Sequence, residues 1–339
     1  MSLPCIDIGP LFGPATKLRS ETDAAIMAAA RDHGFMTVSG LPAEVPLEPT
    51  TRRDLLRLFT LPVLEQRKLW RQKFNPANPN VYRGWFPMQD GSVTCKEGID
   101  MGPDCAYGPA AAASGDPLRE ATPLPPEGAL PGWRDTVTHY YLGIELTGRM
   151  LMRSIARGLG LDAKTFDAAF EGGISTLRLI HYPKRSTAQL ATVSNPDLWV
   201  THMGERRFVS GAAHVDSGLV TLLAQDGVSG LQARRHDGSW IDVEPREGTL
   251  AINFGKVLDR WTGGRIKATE HRVLGSDSER FSIPFFYEPR VDAEIAPLTI
   301  AGVQLFAPFY YGDHLWTSST KFVEFAGLEH LRKPLRSDG

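Results

Sequence analysis

The chain is poor in cysteine. Its three residues, Cys5, Cys95 and Cys105, are odd in number and lack CxxC spacing, which argues against a disulfide framework or a zinc knuckle. They read as free thiols in a reducing compartment, so the cytoplasm is the expected location. Charge of one sign is missing too, since 37 Lys and Arg stand against 39 Asp and Glu without long blocks of either. That removes the electrostatic footprint for nucleic acid or an anionic membrane and leaves a small-molecule substrate as the expected partner. No apolar run approaches the roughly 18 residues of a membrane span, and "MSLPCIDIGPLFG" has neither the basic nor the apolar region of a secretion signal. No internal repeat is present. Nothing in the pattern specifies an oligomeric state.

What the chain does have is a large apolar fraction, 42% of 339 residues, enough for a sizeable core. Near the start, "LPCIDIG" reads as a strand, and "SETDAAIMAAARDHGFMTVSG" as a helix capped by Ser20, stopped at Gly34 and followed by a second strand. "TTRRDLLRLFTLPVLEQRKLW" has helical periodicity broken near Pro62. From Asp104 to Trp133 alanine, glycine and proline dominate, including the run Ala110 to Ala113, and predict a long surface connection. Val137, Tyr141, Ile144, Leu151, Ile155 and Leu159 then mark one face of a long helix backing a sheet, with a second helix in "AKTFDAAF". Between Ile174 and Pro289 come short strands and tight turns, the pattern of an antiparallel sandwich or barrel.

Within that region lies "SGAAHVDSGLVTLLAQDGVSGLQ", where His214 and Asp216 stand two apart. On a strand they share one face. Alone the pair is weak evidence, but His271 adds a third potential ligand, and Arg280 and Ser282 form another same-face pair in "RFSIPFF". Two histidines and one carboxylate can cap one face of an octahedral iron and leave three positions for a chelating cosubstrate and dioxygen. A guanidinium with a hydroxyl beside it can receive that cosubstrate's carboxylate as a fork. The competing readings are unrelated polar residues in a core, or a structural salt bridge for Arg280. Isolated buried Asp and His are costly, and a shared metal removes the cost.

With these residues the sequence resembles the isopenicillin N synthase-like branch of the Fe(II)/2-oxoglutarate-dependent oxygenases. The resemblance covers "LPCIDIG", "AARDHGFMTVSG", "VYRGWFPMQDGSVTCKEGIDMG" and nearly every strand from "LRLIHYP" to "RFSIPFFYEP". It implies a double-stranded β-helix, the cupin-like jelly-roll barrel, in an α+β, mainly β protein with flanking helices and a helical N-terminal region. It implies the divisions 1–105 (N-terminal region of the family), 106–132 (connection), 133–172 (backing helices), 173–292 (jelly-roll core) and 293–339 (C-terminal segment). His214, Asp216 and His271 become the iron ligands, and Arg280 and Ser282 the grip on the distal carboxylate of 2-oxoglutarate. Tyr182 matches a tyrosine before proline that reaches the same carboxylate.

The implied reaction uses dioxygen, releases succinate and carbon dioxide and hydroxylates or desaturates a small organic substrate, with ascorbate prolonging turnover. The sequence departs from many plant members at Ile180, where they have asparagine, and at Lys256, where they have aspartate; "LIHYP" is nevertheless similar to isopenicillin N synthase. Three other readings stay open. One is an iron oxidase of the isopenicillin N synthase type, which uses no 2-oxoglutarate and grips a substrate carboxylate with Arg280 and Ser282. Another is a non-enzymatic metal-binding homologue, and the third a redox-inert cupin isomerase or hydrolase. Asn253 belongs either near the metal or to a strand end. Tyr82, Arg83 and Trp85 either line the substrate mouth or anchor a loop. His181, His202, His236, His314 and His330 are expected away from the metal.

Overall fold

Stretches that alternate side chains of different character become strands because each can bury one face against helices and turn the other toward a facing sheet. In the computed structural model, which describes residues 3–88, 95–112, 115–186, 189–190 and 195–335, two such sheets stack as a jelly roll. The strands are β1 (Cys5–Asp7), β2 (Phe35–Ser39), β3 (Gly84–Phe86), β4 (Glu97–Met101), β5 (Thr176–Tyr182), β6 (Trp199–His202), β7 (Glu205–His214), β8 (Val220–Gln225), β9 (Leu231–Arg234), β10 (Trp240–Asp242), β11 (Leu250–Phe254), β12 (His271–Leu274) and β13 (Arg280–Tyr287). The larger sheet runs β1-β2-β11-β8-β13-β5-β4-β3 and the smaller β10-β9-β12-β7-β6. β1 pairs with β2 in parallel, and the other pairs of these two sheets are antiparallel. β1 to β4, from the first hundred residues, thus extend both edges of the larger sheet.

Side-chain parity divides the core in two. Leu177 and Leu179 of β5, Ile283, Phe285 and Tyr287 of β13, and Leu250, Ile252 and Phe254 of β11 join the main core outside the barrel. Ile180, Tyr182, Ala251 and Phe35 turn the other way and meet Leu231, Ala233, Val243 and Val273 of the smaller-sheet side in a compact barrel interior. The larger sheet is backed by helix Trp133–Gly158, whose buried stripe includes Val137, Tyr141, Ile144, Leu151 and Ile155. Tyr141 sets its ring edge-on to Phe285 and donates its hydroxyl to the Ser175 carbonyl at 2.8 Å.

Local expectations needed two corrections. The first long helix spans Lys17–Asp32, and its cap is Thr16, which accepts from the Arg19 N–H at 3.2 Å; Ser20 lies inside the first turn. Gly34 follows the helix end with φ +61, a conformation natural to glycine. The Asp104–Trp133 segment is less superficial than its composition predicts. Leu118 is fully buried, and the Glu120 carboxylate accepts the backbone N–H groups of Val81, Tyr82 and Arg83, anchoring the segment that leads into β3. Ala113 of its alanine run lies outside the described residues, as do residues 89–94 of the middle family-like stretch. Pro62 breaks the helical run as expected, between turns ending at Thr60 and helix Val63–Lys68. Among the described residues no helix is long and apolar enough to cross a membrane.

The backing helix approaches the sheet through Gly148. A Cβ there would lie 2.7 Å from Cγ of Tyr287, whose ring is stacked on Phe170 at 4.2 Å and so cannot swing aside freely. Gly148→Ala would gain about 1 kcal/mol of helix propensity on a solvent-exposed helix, but overpacking here should outweigh it, for a net loss of about 1–2 kcal/mol. Urea unfolding followed by circular dichroism measures the difference; a midpoint at or above that of the parent protein would show that helix and sheet can separate without penalty.

Candidate metal centre

β7 ends at His214, so Asp216 is not on the strand that the HxD spacing suggested. The correction has a physical cause. After His214 the chain turns toward β8, and this turn is clamped by the start of helix Lys256–Trp261, where Lys256 N–H donates to the Asp216 carbonyl and Val257 N–H to that of Gly218. Gly255 permits the approach, since a Cβ on it would lie 2.3 Å from the Gly218 carbonyl oxygen. His271, the first residue of β12, pairs directly with His214 across the antiparallel ladder. A strand end, a clamped turn and a neighbouring strand therefore bring the three side chains together.

Their ligand atoms all lie within 4.8 Å of one another. The Asp216 Oδ1 is 3.6 Å from His214 Nε2 and 3.8 Å from His271 Nε2. Two donors each about 2.1 Å from one ion can be no more than about 4.2 Å apart, so these separations admit a shared ion. Each imidazole is oriented through its other nitrogen: Nδ1 of His214 meets the Ala212 carbonyl at 2.8 Å, and Nδ1 of His271 the Thr269 carbonyl at 3.3 Å. A proton on Nδ1 leaves the Nε2 lone pair for the centre. Asp216 is fixed in the same manner, its Oδ2 accepting from Thr221 Oγ1 at 2.6 Å and Asn253 Nδ2 at 2.7 Å.

Burial works against the Asp216 charge, but His271 and His214 beside it, with the Thr221 hydroxyl, hold its carboxyl far below the usual range. His271 is pushed down to about 4, by burial first and by His214 second, so its imidazole is neutral at neutral pH. A neutral imidazole at His271 beside an ionised Asp216 carboxylate suits a divalent cation.

Arg280 and Ser282 share the interior face of β13, opposite Tyr182 and Ile180 of β5 in register. Arg280 is buried at 2% exposure, with its guanidinium 5.1 Å from the Tyr182 ring centroid. Its Nε donates to the Val228 carbonyl at 3.3 Å, while Nη1 and Nη2 have no partner among the described residues. Such a buried donor pair calls for an acceptor. The guanidinium borders a cavity of about 80 Å³ with Tyr182, Ser210 and Val273. A second cavity, of about 410 Å³, includes His214, Asp216, Thr221 and Glu288 in its lining and meets the first at Tyr182 and Val273.

Among the residues left with two readings, Asn253 braces Asp216, and Tyr82 lines the larger cavity. Arg83 is buried behind that wall, donating to Thr176 Oγ1, and Trp85 packs in the main core. The five histidines expected away from the metal stay out of the cluster: His181 lies between Glu97 and Glu279, His202 beside Asp242, and His314 against the Ser217 carbonyl, while His236 and His330 are exposed. Sequence reasoning missed Thr221 and Glu288. Parity along β8 could have flagged Thr221, a polar residue between core residues Val220 and Leu222.

Residues 175–289 match the 2OG-Fe(II) oxygenase superfamily. The chain is 28% identical to isopenicillin N synthase of Streptomyces clavuligerus over 320 residues, covering 92% of this chain and 93% of that protein. It is 29% identical to a homoarginine-6-hydroxylase of Oryza sativa subsp. japonica, covering 93% and 95%. A full-length Neurospora crassa protein crystallised in complex with alpha-KG is similar at TM-score 0.77 and 25% identity, covering 94% of this chain and 96% of that one.

If Thr221 and Asn253 orient Asp216, removing either donor lets the carboxylate rotate. Asn253→Ala and Thr221→Ala should each weaken metal binding by about 10–100-fold, the usual scale for such supporting contacts. Competition with a chromophoric chelator under anaerobic conditions measures this directly. Parent-like affinity in both variants would mean that the backbone alone orients Asp216.

Proposed function

We propose that this chain is a member of the 2OG-Fe(II) oxygenase superfamily, in its isopenicillin N synthase-like branch, that His214, Asp216 and His271 hold its Fe(II), and that Arg280, Ser282 and Tyr182 seat the distal carboxylate of 2-oxoglutarate. The protein is an Fe(II)- and 2-oxoglutarate-dependent dioxygenase that oxidises a small organic substrate with release of succinate and carbon dioxide. The observation that carries the residue roles is the adjacency of two incomplete sites: three convergent donor groups, of which His214 and Asp216 line one cavity, and a buried guanidinium with two unpartnered nitrogens on the next.

Bound iron, chelated by the keto acid, supplies the dioxygen chemistry that couples decarboxylation to substrate oxidation. The chain's own part is placement. The His214 and His271 rings are turned by backbone carbonyls so that both Nε2 atoms face Asp216 Oδ1. Arg280 can meet a carboxylate with its two terminal N–H groups while the Tyr182 ring supports the guanidinium plane, and Ser282 adds a hydroxyl one interior position along. Ile180 presents an apolar neighbour opposite Ser282, and the barrel interior around it keeps water from competing for that fork. The substrate's place is the larger cavity, whose walls include Tyr82, Phe286 and Phe325.

Truncating one partner of a buried charge pair costs about 2–5 kcal/mol, so Arg280→Ala should weaken 2-oxoglutarate binding by about 30-fold to several thousand-fold. Fe(II) affinity should change much less. Arg280→Lys should recover only part of the loss, because an ammonium lacks the planar fork. Titration of 2-oxoglutarate into anaerobic Fe(II) protein, read by the visible absorption of the chelate, gives all three values. A folded Arg280→Ala protein with parent-like affinity would remove Arg280 from the site, and substrate turnover independent of 2-oxoglutarate would point to the isopenicillin N synthase type of oxidase.

A further inference from the structure

The larger cavity contains a buried acid that neither metal nor cosubstrate uses. Glu288 follows β13 at its far end from Arg280, is 4% exposed, and lines the cavity with Thr176, Arg178, Phe286 and Gly218. Its Oε1 accepts from the Tyr311 hydroxyl at 2.9 Å and its Oε2 from the Thr176 hydroxyl at 2.9 Å. Thr176 Oγ1 already accepts from Arg83 Nη1 at 2.6 Å, so its single proton is committed to Glu288. Both hydroxyls thus donate, and the capacity that Glu288 retains is that of an acceptor.

Two of the other cations that line this cavity stand beside acids, and Lys321 lines it as well. Arg178 gives two nitrogens to Asp100, and Lys96 lies 3.3 Å from Glu324. Among the described residues Glu288 has no cation within 4.0 Å, and Arg83 reaches it only through Thr176. Burial raises its carboxyl to about 7 against the pull of Arg83 and the two hydroxyls, a sign of an anion lacking full compensation. Its position is also informative: a Cβ on Gly218, two residues past Asp216, would lie 3.9 Å from Glu288 Oε1. Aromatic and aliphatic walls from Tyr82, Leu219, Phe286 and Phe325 complete the space.

Resting on the oxygenase reading of this cavity, we propose that Glu288 is a specificity-determining residue that receives a protonated nitrogen, an amine or guanidine, of a substrate with an apolar body. The incoming N–H groups supply the cation that Glu288 lacks, and the contact holds the substrate beside the turn that carries Asp216.

The experiment uses the full chain loaded anaerobically with Fe(II) and 2-oxoglutarate. Formation of the visible chelate is checked first, and its absence would strike the oxygenase reading before any amine is added. Matched probes are then titrated by calorimetry and assayed for stimulation of succinate formation in air: arginine against citrulline, lysine against norleucine, phenethylamine against phenethyl alcohol. We expect at least one cationic member to bind and stimulate about 10-fold or more better than its neutral partner. In Glu288→Gln, which keeps the side-chain length and one carbonyl acceptor, that preference should shrink to within about 2-fold, and Glu288→Asp should restore part of it. Equal response to both members of every pair, no response to any cationic probe, or a preference retained in a folded Glu288→Gln protein would each overturn the proposal.

Discussion

The register between β5 and β13 is the constraint on which the site depends. Arg280 faces Tyr182, Ser282 faces Ile180 and Phe286 faces Thr176, so the even-numbered residues of both strands turn to the barrel interior and the odd-numbered ones to the helical side. One slipped residue would send Arg280 and Arg178 into the apolar core and Leu177 and Phe285 into the cavity. Helix Trp133–Gly158 prevents this, because Phe285 and Tyr287 fill spaces set by Tyr141 and Gly148. Packing on the outside of the sheet thereby decides which chemistry appears on its inside. It also gives the barrel a direction, with the unpartnered Arg280 guanidinium at one end and Phe286, Thr176 and Glu288 at the other.

The open end is closed by chain from both termini. Asp100 on β4 is buried between Arg71 and Arg178, an arrangement that satisfies the acid but leaves excess positive charge in low dielectric. Phe325 lies over Arg71, 4.3 Å from its guanidinium carbon, and stacks on Tyr82 with ring centroids 5.1 Å apart. Lys96 pairs with Glu324, and Lys73 donates to the carbonyls of Val323 and Ala326. The segment after helix Tyr311–Ser319 is thus held over the cavity by cations from the N-terminal hundred residues. A cavity roofed in this way has a lining made of side chains from many segments.

Much of this was legible because strands leave periodic marks and the clustering residues His214, Asp216 and His271 have ligand-type side chains. The strand runs containing β5, β8, β11 and β13 followed from alternation between turn residues, and His214, Asp216 and His271 from residue type. The mechanism of convergence was not legible. Two-residue spacing suggested one strand face, whereas Asp216 arrives through a turn whose shape depends on Gly255, nearly forty residues later, and on hydrogen bonds from Lys256 and Val257. Composition likewise misread Asp104 to Trp133, because a single Glu120 binding three backbone N–H groups outweighs an alanine-rich neighbourhood.

The same contrast explains why reaction type and substrate are written so differently in the chain. The end proposed to bind the metal uses few residues, each held by a hydrogen-bond partner: Ala212 for His214, Thr269 for His271, and Thr221 with Asn253 for Asp216. His214 and Asp216 stand two apart, so that part of the cluster is readable as a motif. The cavity proposed for the substrate draws Tyr82 from before β3, Thr176 and Arg178 from β5, Glu288 from beyond β13 and Phe325 from the C-terminal segment. Those residues share a cavity without sharing a spacing, so only the fold brings them into one chemical statement. Among the described residues none of Tyr82, Thr176, Arg178, Glu288 and Phe325 hydrogen-bonds to or pairs with His214, Asp216 or His271, so on the proposed reading substrate selection and metal binding rest on separate sets of contacts.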